Sequence, residues 1–88
     1  MREIRWTEES EDHIARHGVA PIEVEQVLYS RPRLVAKGRD DVRLVFGTTD
    51  SGRHLAVVLS EAEDGRLFVV TARDMTESER RAFARRVR

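Results

Sequence analysis

Cysteine is absent from this chain, so disulfides, thiolate nucleophiles and cysteine-held metal centres are excluded, and a structural zinc would need His and carboxylate ligands alone. A reduced, cytoplasmic setting is the expectation. Lysine is nearly absent too: Lys37 is one of sixteen basic residues and the rest are Arg. That bias suits planar, bidentate contacts to phosphate or carboxylate, and a GC-rich genome would produce it as well. Aromatic residues are few. Trp6, Tyr29, Phe46, Phe68 and Phe83 are 6% of the chain, and a core needs most of them, so single-strand binding by base stacking is not expected. No apolar run reaches the length of a signal h-region or a membrane span, and the first residues, Met1 to Trp6, are charged, so no membrane association is expected. The five glycines form no phosphate-cradling pattern, and Ser30, Ser51, Ser60 and Ser78 lack the context of a nucleophile elbow.

What remains is a small, highly charged chain. Its 88 residues are enough for one hydrophobic core, and a single domain spanning 1–88 is expected. Hydrophobic residues make up 40% and charged residues 36%, which leaves little apolar surface unused. Formal charge is zero but unevenly distributed: residues 1–30 hold three Arg against seven acids, a net −4, and residues 31–88 carry the balancing +4. The basic clusters are Arg31, Arg33, Lys37, Arg39 and Arg43, then Arg80, Arg81, Arg85, Arg86 and Arg88. They fit a nucleic-acid surface or a docking face for an acidic partner, and equally a plainly solvated surface.

Ile4, Arg5 and Trp6 alternate as a short first strand would. Thr7 reads as an N-cap, with Glu8, Glu9, Glu11 and Asp12 in the first turns of a helix of about three turns that ends at His17 and Gly18. Pro21 opens a second helix in which Val24, Val27 and Leu28 form a buried stripe, ended by Ser30-Arg31-Pro32. Four strand candidates follow, Leu34–Ala36, Val42–Phe46, Leu55–Leu59 and Leu67–Ala72, joined by connections too short for parallel crossovers. The expected fold is therefore α+β: an antiparallel sheet made of a short N-terminal strand and a four-stranded meander, with two N-terminal helices and one C-terminal helix. In the second meander strand, Val42, Leu44 and Phe46 face one way, and Arg43, Val45 and Gly47 face the other, read here as the less apolar side.

The last third is the most pointed. An apolar run, Leu67 to Ala72, stops at Arg73, and Thr76 with Glu79 three residues on forms a capping box that opens an arginine-rich helix burying Met75, Phe83 and Val87. Arg73 thus falls near the end of a strand, where a guanidinium can reach a phosphate or a carboxylate.

Taken in order, Trp6, Arg16-His17-Gly18-Val19, Val27-Leu28 to Pro32, Arg43, Gly47, Gly52-Arg53, Thr71-Ala72-Arg73, Glu79 and Phe83 resemble the BrnT family of type II toxins, members of the RelE/ParE-like group of small ribonucleases. The resemblance covers nearly the whole chain. It implies a RelE-like fold, metal-independent endoribonuclease activity that inhibits translation, no cofactor, and a cognate antitoxin that is a ribbon-helix-helix DNA-binding protein.

Metal-independent RNA cleavage needs a base for the 2′-OH proton, cations for the phosphorane and an acid for the departing 5′-oxygen. The candidate set is His17 or Glu79 for proton transfer and Arg43 and Arg73 on the phosphate, with Arg16, Arg53 and Arg80 positioning RNA. Each residue also has a structural reading. His17 closes a helix end, Glu79 completes the capping box, and Arg43 or Arg73 can form a salt bridge to Glu79 or Asp74. His13 and His17 have the i, i+4 spacing of paired metal ligands, but no third ligand is recognisable and no metal site is expected. His54, at a hairpin exit, is expected to be exposed. Phe83 stands where the family often has Tyr, and the charge is neutral where many members are basic. A catalytically silent protein-binding module on the same fold therefore remains the alternative. Exposed sheet edges also allow a homodimer.

Overall fold

The computed structural model describes residues 4–87, so Met1 to Glu3 and Arg88 of the second basic cluster lie outside the described residues. The elements run β1 (Ile4–Arg5), α1 (Glu8–Arg16), α2 (Pro21–Tyr29), β2 (Leu34–Lys37), β3 (Val42–Thr48), β4 (His54–Glu61), β5 (Leu67–Asp74) and α3 (Glu77–Arg86). They form one five-stranded sheet in the order β1-β5-β4-β3-β2. Strands β2 to β5 are the expected antiparallel meander, and β1 adds to β5 in parallel through Ile4–Leu67 and Arg5–Phe68.

Local chemistry sets the helix boundaries. The Thr7 hydroxyl accepts from the Ser10 amide at 3.0 Å while Ser10 Oγ accepts from the Thr7 amide at 2.9 Å, a reciprocal cap that starts α1. The helix ends after nine residues at the expected His17 cap, because Gly18 takes φ +67°. Its N–H donates to Ala15 O and the Val19 N–H to Ile14 O, which brings Val19 down against Ile14 as a Schellman motif does. Pro21 sits at the start of α2, as expected, and the Glu23 carboxylate caps the helix by accepting from the Ala20 amide at 3.0 Å, since Ala20 has no side-chain acceptor of its own.

Helices α1 and α2 cover one face of the sheet. Ile14, Val19, Val24, Val27 and Leu28 pack on Val45, Leu55, Val57, Leu59, Leu67, Val69 and Ala72. Each fully buried aliphatic side chain contributes about 1.5–3 kcal/mol. Helix α2 approaches β3 so closely that a Cβ on Gly47 would lie 2.9 Å from Ser30 Oγ and 3.1 Å from Val27 Cγ1. The β3 faces are thus opposite to the expectation: Val45 and Gly47 are buried under the helices, whereas Leu44 and Phe46 on the other side are only half-buried. The sequence pattern misleads here because Gly47, the residue with least apolar surface, is where the helix makes closest approach.

The opposite face carries α3. Phe83 is buried and meets the His54 ring edge-on at a centroid distance of 5.9 Å. At its far end, Arg86 and Val87 line a shallow depression with Arg31, Pro32, Arg33 and Val35, so the helix runs from the end of β5 toward the start of β2. A bulge in β5 leaves Val70 without a partner between the Leu59–Val69 and Val58–Thr71 pairs. Beyond the bulge the strand continues through Arg73 to Asp74, two residues further than the apolar run suggests.

Candidate functional site

Register decides which of the candidate residues can meet. Arg43 pairs with Leu59 and shares its side of β3 with Val45 two residues on, so it lies on the face covered by α1 and α2. Arg73 pairs with Ala56, which pairs with Phe46, so it lies on the α3 face. Their partners on β4 are three residues apart, about 10 Å along the strand. Arg43 and Arg73 therefore cannot grip one phosphate, and the expected constellation divides into three groups.

The first group is Arg43 alone of the candidates. Its Nη2 donates to Glu61 Oε1 at 2.7 Å, on the rim of a small apolar hollow lined by Leu28, Arg33, Val35, Val45, Leu59 and Leu67. The second surrounds the turn between α1 and α2. Arg53 donates from Nε to Asp74 Oδ1 at 2.8 Å and from Nη1 to Gly18 O at 2.8 Å and Glu23 Oε1 at 3.2 Å. Its Nη2 reaches His17 O at 3.3 Å, so this one guanidinium closes the C-terminal end of α1 and ties it to the ends of α2 and β5. The hydrogen bond from Arg53, with its charge and that of nearby His17 in support, lowers the Asp74 carboxyl below its ordinary value. His17 and Arg16 are exposed at this helix end. His13 faces Glu9 at 3.8 Å, and among the described residues no three His or carboxylate side chains gather as metal ligands.

The third group, on the α3 face, has the geometry of a site. Arg73 donates from Nη1 to Glu79 Oε1 at 2.7 Å and from Nη2 to Glu79 Oε2 at 3.0 Å, a bidentate pair. Glu79 also accepts from the Thr76 amide at 2.8 Å, completing the capping box. These bonds, the Arg73 one foremost, hold the Glu79 carboxyl down at about 2. A carboxylate so low and so fully engaged is a poor proton acceptor at neutral pH, so the expected proton-transfer role fits Glu79 badly. What it does is fix Arg73, whose Nε has no partner among the described residues.

Next to this pair is an open depression of about 680 Å³ lined by His54, Met75, Glu77, Arg80, Arg81 and Ala84. Arg80 and Arg81 are exposed and, among the described residues, have no ion-pair partner, unlike Arg43, Arg53, Arg66 and Arg73. His54 is half-buried against Phe83, not exposed as expected from its place at a hairpin exit. The strand begins at His54 because its carbonyl accepts from the Met75 amide at 3.1 Å and Thr48 pairs across from it. Alternation in β4 puts His54 on the same face as Ala56, and that was the legible signal: once the strand is extended by one residue, His54 falls diagonally beside Arg73.

The crystal structure of the ribonuclease toxin BrnT from Brucella abortus is similar to this chain with a TM-score of 0.67 and 21% sequence identity, covering 88% of this chain and 100% of the toxin. The chain has the BrnT fold. That agrees with the α+β, RelE-like architecture read from the sequence, including the order of all three helices and the meander. No protein-family model matches the sequence, and no curated protein does. On this BrnT fold the face bearing α3 holds Arg73, Glu79, Arg80, Arg81 and His54 together, while Arg43 lies on the other face.

Proposed function

We propose that this chain is a BrnT-like toxin of a type II toxin–antitoxin pair, an endoribonuclease that acts on cytoplasmic RNA to slow translation without a metal ion and is neutralised by a ribbon-helix-helix antitoxin. The observation that carries the proposal is the group of guanidiniums on the α3 face of a ribonuclease toxin's fold: Arg73 held by Glu79, with Arg80 and Arg81 beside it and without an ion-pair partner among the described residues. Three cations on one open surface suit a phosphodiester, and Arg73 is oriented in advance so that little ordering is needed when charge develops on the phosphorane. Arg16 and Arg53 are too engaged in, or too near, the α1–α2 turn to join this surface, and Arg43 is assigned to stability. Binding through phosphates predicts a salt dependence with a slope of about −2 in a log–log plot, reduced by about 0.7 for each of Arg80→Ala and Arg81→Ala.

Expression of the chain alone in a bacterial host is expected to arrest growth, with relief by Arg73→Ala. Normal growth at verified soluble expression removes the toxic reading. One observation favours a second reading, a catalytically silent module that docks a protein through the same basic face: Arg73 is already neutralised by Glu79. Cleavage of RNA by the purified protein in excess chelator separates the two, since a silent module leaves the RNA intact.

A further inference from the structure

We infer that His54, wedged against Phe83 at the floor of the Arg80–Arg81 depression, is the group that accepts the 2′-OH proton in RNA cleavage; the inference rests on the ribonuclease reading and assigns its proton acceptor. His54 is the one described imidazole on the α3 face, His13 and His17 both being on α1 or its cap. Its backbone is fixed by the bond from Met75 and the pairing with Thr48, and its ring by the edge-on contact with Phe83 at an interplanar angle of 88°. Neither ring nitrogen has a partner among the described residues, so the imidazole is held in position with its proton-accepting lone pair unused. Arg73 stands diagonally across the β4–β5 ladder, and Arg80 and Arg81 line the same hollow, so a phosphodiester bound by these cations presents its ribose to His54.

The step balances with this chain's groups and water. His54 takes the proton of the 2′-OH as the 2′-oxygen bonds to the adjacent phosphorus; the P–O5′ bond breaks, and the 5′-oxygen takes a proton from water. The products are a 2′,3′-cyclic phosphate and a 5′-hydroxyl, and the protonated imidazole returns its proton to the hydroxide left in solvent. Arg73, Arg80 and Arg81 offset the charge that builds on the phosphorane oxygens. Glu79 is excluded from this role by its bonds to Arg73 and Thr76. Glu77 lines the depression as well, but it is an exposed residue of the first turn with no hydrogen bond or ion pair among the described residues to fix its side chain.

Two measurements on the full chain test the assignment. Single-turnover cleavage of an RNA oligonucleotide in chelator is expected to fall by about 10²–10⁴ in His54→Gln. Affinity for the same oligonucleotide with 2′-O-methyl riboses is expected to stay within about threefold, because phosphate contacts hold the strand. In ¹H–¹⁵N spectra of the imidazoles, that uncleavable oligonucleotide should shift the His54 signals and leave those of His13 and His17 in place. Partial recovery of His54→Ala by added imidazole would support a proton-transfer role over a packing role. The assignment is overturned if His54→Gln cleaves within about threefold of the parent, if Glu77→Gln alone abolishes cleavage, or if the oligonucleotide shifts His13 or His17 and not His54. A parent chain that binds the oligonucleotide and cleaves nothing defeats the ribonuclease reading itself and the assignment with it, which is distinct from an active parent with an active His54→Gln.

Discussion

Replacing Glu79 by Gln removes the charge that holds Arg73 and keeps the shape of the side chain. The size of the effect follows from the proton equilibrium. Glu79 falls from an ordinary value of 4.5 to about 2 in the folded chain, and at about 1.4 kcal/mol per unit that sets a ceiling near 3.5 kcal/mol. Both partners meet solvent, with 35% of the Arg73 and 25% of the Glu79 side chain exposed, so screening brings the expected loss at neutral pH down to about 1 kcal/mol. Because the folded-state value lies below the unfolded one, the contribution is complete above about pH 4.5 and is lost as the pH falls toward 2. Urea denaturation of the parent and Glu79→Gln at pH 7 and at about pH 3 measures both the gap and its narrowing. A gap near zero at pH 7, or one that keeps its full size at the lower pH, refutes the account of the Arg73–Glu79 pair.

Gly47→Ala should destabilise the fold by about 1–3 kcal/mol in the same urea assay, since the new methyl group meets Ser30 and Val27 where α2 presses on β3. Arg53→Ala should cost about 1–2 kcal/mol and speed amide exchange at the C-terminal end of α1, where it holds the carbonyls of the cap residue His17 and of Gly18. If exchange there is unchanged, the guanidinium is not what closes that helix.

Much of the architecture is legible in the sequence because its signals are local. The Thr7 and Thr76 caps, Gly18 after the first helix, Pro21 at the second and the three short hairpin connections each act over a few residues, and the structure has all of them. The site is less legible because it depends on register. Whether Arg43 and Arg73 share a face turns on the β4 pairing of each and on the single unpaired Val70, and neither is fixed by a local pattern. The same limit hid His54: a histidine after Gly52-Arg53 reads as loop until the backbone bond from Met75 draws it into the strand. Arg53, expected to position RNA, instead spends its donors on two carbonyls and two carboxylates that are 21 to 36 residues away in sequence. Long-range hydrogen bonds of that kind leave no mark in composition or periodicity.

The proposed working surface is the face that bears α3. The most direct measurement compares initial rates of RNA cleavage, in excess chelator, for the purified parent, Arg73→Ala and Arg43→Ala, each first shown to be folded. Arg73→Ala is expected to lose about 10²–10³ in rate, the size expected when a group stabilising transition-state charge is removed, and Arg43→Ala to stay within about threefold of the parent. Loss of cleavage in Arg43→Ala with Arg73→Ala still active would contradict that assignment.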